Sequence, residues 1–552
     1  MSHKIVIVGG VAGGASAAAR ARRLNEQAEI IVFERDSFIS FANCGLPYHI
    51  GGEIEERSAL LVQTPESMKA RFDLDIRIKT EVIGVDAAAK MVTVKNLDTQ
   101  ETYSESYDDL VLSPGATPII PPTPGFDLPS VFTLRNIPDM DRILQKINLE
   151  APRTAVVIGG GYIGIEMAEA LIHRGIETTM VELANQIMPP MDPEMAVPLH
   201  QEMRRNGVDL QLSDAVEKVT ETDGRLTLDM RSGKKFETDL VILAIGVRPE
   251  NSLAKLAGLA LGEKGGIQVD SQMRTSVPNI YAVGDAIEVK DFVTGLAAQI
   301  PLAGPANRQG RIAADNIFGR ASEYKDTLGT GICKVFDLSA ASTGASEKLL
   351  TFKGIPYEKV YVHAADHAGY YPGATQINFK LIFDPTSGKI LGAQAVGKKG
   401  ADKRIDIIAT AIRAGMTVWD LEEFELCYAP PFGSAKDVIN QAGFVASNVI
   451  RGDHEICHSA DIDAFGDDVM LIDVRNPTEI GTLGTIDEAH NIPVNNLREN
   501  LGRLPKDKTL VVFCAVGLRG YVAYRMLIQH GFKVKNLTGG FTTYQMVKRI
   551  GK

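Results

Sequence analysis

Cys44 stands in the stretch Ser40-Phe41-Ala42-Asn43-Cys44-Gly45-Leu46-Pro47-Tyr48 with no second cysteine close to it in sequence; the positions five away are Ile39 and His49. A thiolate attacks disulfide and polysulfide sulfur, so this residue type can do sulfur exchange. Any disulfide it forms must be made with something other than a sequence neighbour. A second cysteine, Cys514, ends the apolar run Thr509 to Phe513 and is followed by Arg519 in a Cys-x4-Arg spacing. The remaining three of the five cysteines, Cys333, Cys427 and Cys457, have no distinguishing context, and no C-x-x-C spacing occurs. Neither a metal site nor a disulfide framework is expected.

Two copies of one signal must position this chemistry. The apolar strand ending at Val8 meets Gly9-Gly10-Val11-Ala12-Gly13-Gly14 and an alanine-rich helix, and a strand from Ile30 to Phe33 ends at Glu34. Small residues let such a turn approach a pyrophosphate, the helix start offers N–H groups, and the terminal acid accepts from ribose hydroxyls. Val11 replaces the middle glycine of the strict pattern. The second copy is stricter: Ala155 to Ile158 precedes Gly159-Gly160-Gly161-Tyr162-Ile163-Gly164, and the strand Thr178 to Val181 ends at Glu182. Two dinucleotide sites imply one tightly held group and one that comes and goes. Leu110 to Pro118 and Asn279 to Ala286 each read as a strand running into a tight turn, the second leaving Asp285 at a strand's carboxyl end, where open α/β sheets bind ligands.

The chain of 552 residues exceeds one core, and three or four domains are expected. At 45% hydrophobic and 23% charged it is a globular composition, and a net charge of −11 argues against a nucleic-acid binder. Met1-Ser2-His3-Lys4 runs directly into a strand, and no apolar run reaches membrane-spanning length, so a cytoplasmic protein that binds neither membrane nor nucleic acid is expected.

With two fingerprints and the Asp285 segment, the chain resembles the pyridine nucleotide-disulfide reductase family. The resemblance implies an α/β fold with two Rossmann-like dinucleotide-binding domains, an α+β dimerisation domain and a C-terminal α/β rhodanese domain. Residues 1–120 and 250–325 would bind FAD, 121–249 NAD(P)H, 326–450 would dimerise and 458–552 would form the rhodanese unit. The implied cofactor-binding residues are Gly9, Gly10, Ala12, Gly13, Gly14, Glu34 and Arg35, then Ala116, Asp285 and Ala303. For the second nucleotide they are Gly159, Gly161, Gly164, Glu182 and Gly246. Leu302 to Arg308 looks like a helix start pointed at the flavin, and Glu166 matches a position near the nicotinamide. A carboxylate at Glu182 would repel the 2′-phosphate of NADPH, so NADH is expected, with NADPH the other option.

The Cys44 stretch resembles the single-cysteine branch that holds coenzyme A-disulfide reductases and NAD(P)H-dependent persulfide and polysulfide reductases. Ser16, Arg20 and Arg23 fall on one helical face, which in that branch, with Ser40 and Asn43, binds coenzyme A; arginine suits its phosphates. A helix start and neighbouring donors are expected to lower the Cys44 thiol pKa. Tyr370 and Tyr428 match tyrosines that stand near the reactive sulfur of the other subunit of a homodimer, where they could donate a proton. The His-Glu pair of dithiol reductases is not visible. The last hundred residues resemble a rhodanese, with Cys514 in a loop whose N–H groups suit a thiolate or persulfide, and Arg519 as its cation. The loop is one residue shorter than that of cysteine phosphatases, which favours sulfur over phosphate.

The expected function is therefore reduction by NAD(P)H of coenzyme A persulfide, polysulfide or coenzyme A disulfide through Cys44, with sulfane sulfur handled at Cys514. The alternatives are an NADH peroxidase or oxidase cycling a sulfenic acid, and a flavin-bound redox sensor or sulfur-carrier module.

Overall fold

The computed structural model describes residues 3–551 and divides into two compact units, Met1–Val181 with Asp214–Gly329, and Glu182–Ser213 with Thr330–Lys552. In the first unit, apolar runs too short for helices become the strands of a parallel sheet. Its order is Ile280–Ala282, Asp109–Leu112, Lys4–Val8, Glu29–Phe33 and Asp75–Arg77. Ile5, Val6 and Ile7 have no solvent exposure, each side chain contributing about 2 kcal/mol by burial. Helices shield both faces of such a sheet, which is why these strands read as continuous apolar runs rather than alternating ones.

The helix Ala12–Leu24 follows the first strand and packs on Ala303–Ile317. Glycines permit the approach: a Cβ on Gly310 would lie 2.1 Å from the Gly13 carbonyl oxygen. A second parallel set runs Glu177–Glu182, Thr154–Ile158, Leu240–Leu243 and Val131–Phe132, with the helix Tyr162–His173 leaving the strict glycine turn. Each glycine turn thus sits at the carboxyl end of its central strand, as the sequence requires.

The second unit contains an antiparallel sheet in the order Gly331–Val335, Leu338–Gly344, Ile390–Gly397, Gln376–Phe383, Glu358–Ala365. The helices Ala401–Arg413 and Val438–Ile450 cover it. Lys380, on the strand between the central Ile390–Gly397 and the edge strand Glu358–Ala365, has no solvent exposure. Its ammonium donates to Asp192 at 2.8 Å and to Glu194 and Glu347 at 2.6 Å each. The same unit holds a parallel sheet, Ile456–Cys457, Lys533–Leu537, Thr509–Phe513, Val469–Asp473, His490–Asn491. The two sheets are joined by His363 Nε2 to Thr543 Oγ1 at 2.7 Å and by His458 Nε2 to Glu358 Oε1 at 2.9 Å. Among the described residues no helix is long and apolar enough to cross a membrane.

Candidate active site

Cys44 lies in a single helical turn, Asn43–Gly45, that runs into the six-residue helix Leu46–Gly51. Two backbone devices place it. Ser40 adopts a left-handed φ of 42° and donates its N–H to the Gly10 carbonyl at 2.9 Å, tying the segment to the first glycine turn. Gly45 lets the turn close on Leu60, whose Cδ2 would stand 2.7 Å from any Cβ there. The helix Leu46–Gly51 then packs on Tyr162–His173, and Arg174 Nε donates to the Ile50 carbonyl at 2.6 Å.

This arrangement brings the sulfur under the influence of both nucleotide halves. The Cys44 thiol is pushed up, first by burial, then by the carboxylates of Glu166 and Asp285. Glu166 belongs to the helix after the second glycine turn and Asp285 to the turn after the strand Ile280–Ala282. The sequence expectation of a lowered thiol value is therefore corrected. The helix after Cys44 is too short to supply much dipole, and burial, aided by two acids from far along the chain, raises the value instead. The backbone N–H of Cys44 and its thiol both address Asn43 Oδ1, at 3.0 and 3.6 Å. All five cysteines are free, and Cys44 has solvent access.

Glu166 is itself displaced. Burial pushes it up to about 7, against the lowering effect of a 3.2 Å bond from the Tyr48 hydroxyl. Asp285 is raised by burial and partly relieved by Arg135. The turn that carries it, with Ile300, Leu302, Pro305 and Gln309, lines a cavity.

The glycine turns fit the pyrophosphates of dinucleotides. At Gly9, φ is +96°, and a Cβ would lie 2.1 Å from the Ser113 carbonyl; at Gly14 it would lie 1.9 Å from that of Gly9, so both positions need glycine. Gly159, at φ +106°, and Gly164 repeat this packing, whereas nothing stands within 4 Å of a Cβ at Gly161, leaving room for a ligand. The helices Ala12–Leu24, Tyr162–His173 and Ala303–Ile317 all begin without a side-chain cap or an acid in the first turn, a suitable end for an anion. Glu34 is buried and accepts from the N–H groups of Gly10 and Asp36 at 2.8 and 2.9 Å. Arg35 lies 3.9 Å from Glu81. Ala116 pairs with Pro249 in the antiparallel strands Ala116–Pro118 and Val247–Pro249, and Gly246 lies at the other end of this pair, where the Ile119 N–H donates to its carbonyl at 3.0 Å. Glu182 Oε1 accepts from the Ala184 N–H at 2.8 Å.

The face of Ser16, Arg20 and Arg23 is not a freely solvated basic face. Arg20 pairs with buried Asp315 at 2.7 Å, Ser16 Oγ donates to Asn307 Oδ1 at 2.6 Å, and Arg23 lies over the Phe72 ring at 5.8 Å. Tyr370 and Tyr428, 58 residues apart, meet through their hydroxyls at 3.0 Å, both exposed.

At the second cysteine, the loop bends back so that the Gly517 N–H donates to Cys514 Sγ at 3.2 Å, with Gly517 at φ +104°. Arg519 donates to both oxygens of Glu479 at 2.7 and 2.6 Å. Sequence reading missed Glu479. Its signal was the capping spacing from Asn476 at the start of the helix Pro477–Leu483, which explains its orientation but not its partner.

Two glycine turns at the ends of parallel sheets, a solvent-accessible cysteine acted on by acids from both halves, and a separate cysteine loop are the arrangement of an oxidoreductase. The chain belongs to the pyridine nucleotide-disulphide oxidoreductase family: that family's model matches residues 3–310, its dimerisation domain 330–437 and a rhodanese-like domain 460–546. Membership implies FAD and NAD(P)H. A coenzyme A disulfide reductase of Staphylococcus haemolyticus is 38% identical over 448 residues, 81% of this chain and 100% of that protein. A crystal structure of reduced Bacillus anthracis CoADR-RHD is 55% identical, with a TM-score of 0.97 over 99% of this chain and 98% of its own. A NAD-dependent persulfide reductase from A. fulgidus is 37% identical, with a TM-score of 0.92 over 98% of this chain and 100% of its own. The chain is thus an enzyme of the pyridine nucleotide-disulphide oxidoreductase type.

Proposed function

We propose that this enzyme reduces coenzyme A persulfide, polysulfide or coenzyme A disulfide at Cys44, and that Cys514 accepts sulfane sulfur. The observation that carries the reading is the position of one solvent-accessible cysteine under the field of both Glu166 and Asp285, one from each nucleotide half. Residues 1–120 with 250–325 would hold FAD and 121–249 NADH, with 326–450 dimerising and 458–552 acting as the rhodanese domain. Bound FAD supplies two electrons that originate as hydride on the nicotinamide.

The protein's own part is exchange and positioning. The Cys44 thiolate attacks one sulfur of coenzyme A disulfide, forming a mixed disulfide and releasing one coenzyme A thiolate. With coenzyme A persulfide the attack falls on the inner sulfur and releases hydrosulfide, giving the same mixed disulfide. Two electrons and a proton then return the Cys44 thiolate and free coenzyme A thiol. Ser16, Arg20, Arg23, Ser40 and Asn43 would hold coenzyme A, Arg20 exchanging or sharing its Asp315 partner with a phosphate. In a homodimer, Tyr370 and Tyr428 would act at the sulfur of the other subunit, their joined hydroxyls donating a proton to the leaving thiolate.

The test is anaerobic NADH turnover across coenzyme A disulfide, coenzyme A persulfide, polysulfide and hydrogen peroxide. Turnover on the sulfur substrates well above that on peroxide is expected. Preference for peroxide would replace this reading with a sulfenic-acid cycle.

A further inference from the structure

Two arginines near the Cys514 loop are each ion-paired with a carboxylate. Cys514 ends the strand Thr509–Phe513 with 1% exposure. It is held from behind by the Phe541 N–H to its own carbonyl at 2.8 Å and the Thr542 N–H to Ala515 at 2.9 Å. Two arginines lie close by in the fold. Arg475, fully buried, is bound to Asp473 through its Nε at 3.0 Å and its Nη2 at 2.5 Å. Arg519, in the first turn of the helix Leu518–Gln529, is held in its charged form by Glu479 and then by the Cys514 side chain. Its two terminal nitrogens form a parallel fork with the Glu479 carboxylate, the geometry that a dianionic oxyanion would otherwise use. Glu479 is pinned by its own helix start, where the Asn476 N–H donates to its Oε2 at 3.1 Å. Beyond Arg519 the rim is apolar, with Leu518 68% and Val522 46% exposed, one turn apart on the same helix.

We infer that Glu479 is a specificity-determining residue: by occupying Arg519 it turns Cys514 away from dianionic sulfur donors such as thiosulfate and toward persulfides carried on organic thiols. This rests on the sulfur-accepting role given to Cys514 above. With a persulfide, the Cys514 thiolate attacks the outer sulfur of R–S–SH; the new Cys514 S–S bond forms, the donor's own S–S bond breaks, the outer sulfur keeps its proton and RS⁻ leaves. With thiosulfate, the same attack on the outer sulfur expels sulfite, and charge repulsion at approach is larger because donor and thiolate bring three negative charges to a neutralised site. Cyanide then takes the outer sulfur as thiocyanate and returns the thiolate, which makes either reaction measurable.

The experiment uses the full-length holoenzyme, with glutathione persulfide and thiosulfate as donors and thiocyanate formation as the readout. The Glu479→Gln variant keeps an oxygen for the Asn476 N–H, so the helix start survives. The expected result is a rise of roughly tenfold in kcat/KM for thiosulfate, mostly through KM, with the persulfide rate within about twofold of wild type. Glu479→Asp, which keeps the charge, should retain the wild-type donor preference. Unchanged thiosulfate use in Glu479→Gln, or parallel changes with both donors, would overturn the charge selection while leaving Cys514 as an acceptor. Absence of sulfur transfer from either donor in the wild type would overturn both.

Discussion

The Tyr48 hydroxyl donates to Glu166 Oε1 at 3.2 Å, joining the segment that carries Cys44 to the helix that leaves the second glycine turn. Glu166 is pushed up to about 7 from an ordinary value of 4.5, chiefly by burial. Between those values the folded protein holds a proton that the unfolded chain does not. Stability is therefore greatest below about 4.5 as far as this group is concerned, and falls as pH rises through 7. Glu166→Gln should remove that slope and raise stability at pH 8 by about 1–3 kcal/mol, read from urea midpoints at several pH values. The same substitution should remove a break near pH 7 in kcat/KM for sulfur reduction, since the charge beside Cys44 no longer changes there.

The Lys380 cluster makes a different prediction. Burial alone would raise Glu347, yet Lys380 and Lys359 hold it at about 2. Lys380→Met would leave Asp192, Glu194 and Glu347 without their shared cation, all three in protein surroundings. The expected loss is about 3–5 kcal/mol, seen as a lower denaturation midpoint of the second unit. A variant as stable as the wild type would mean the carboxylates find protons or water without cost.

Much of the fold was legible because glycine reports backbone need locally. Gly9, Gly14, Gly159 and Gly164 each sit where a Cβ would strike a carbonyl, so their spacing carried the two nucleotide turns without any tertiary information. Asp285 at a strand end was legible for a similar reason, the strand and its turn being adjacent in sequence. What failed was whatever depends on charge brought in from elsewhere. The direction of the Cys44 shift is set by burial with Glu166 and Asp285, and the state of Arg20 by Asp315 on a distant helix. Lys380 reads as a polar interruption of an apolar strand, and only folding supplies the three carboxylates that explain it. The joined hydroxyls of Tyr370 and Tyr428 fall between: the residues were singled out by resemblance, but their contact was not visible.

Glu182 ends its strand with one carboxylate oxygen bound to the Ala184 N–H, which holds the side chain against its own backbone. Glu182→Ala should raise the ratio of kcat/KM with NADPH to that with NADH by roughly tenfold, because one repulsive charge near the 2′-phosphate is lost. Steady-state assays with the two nucleotides measure it directly, and an unchanged ratio would move cofactor choice to other residues.

On this mechanism Cys44 alone receives the electrons that leave the flavin for sulfur. The most direct measurement is anaerobic stopped-flow mixing of the Cys44→Ser holoenzyme with NADH, followed by coenzyme A disulfide or persulfide. NADH should bleach the flavin as in the wild type, and the bleached flavin should then persist, with no thiol or sulfide released. Reoxidation by the sulfur substrates at the wild-type rate would contradict it.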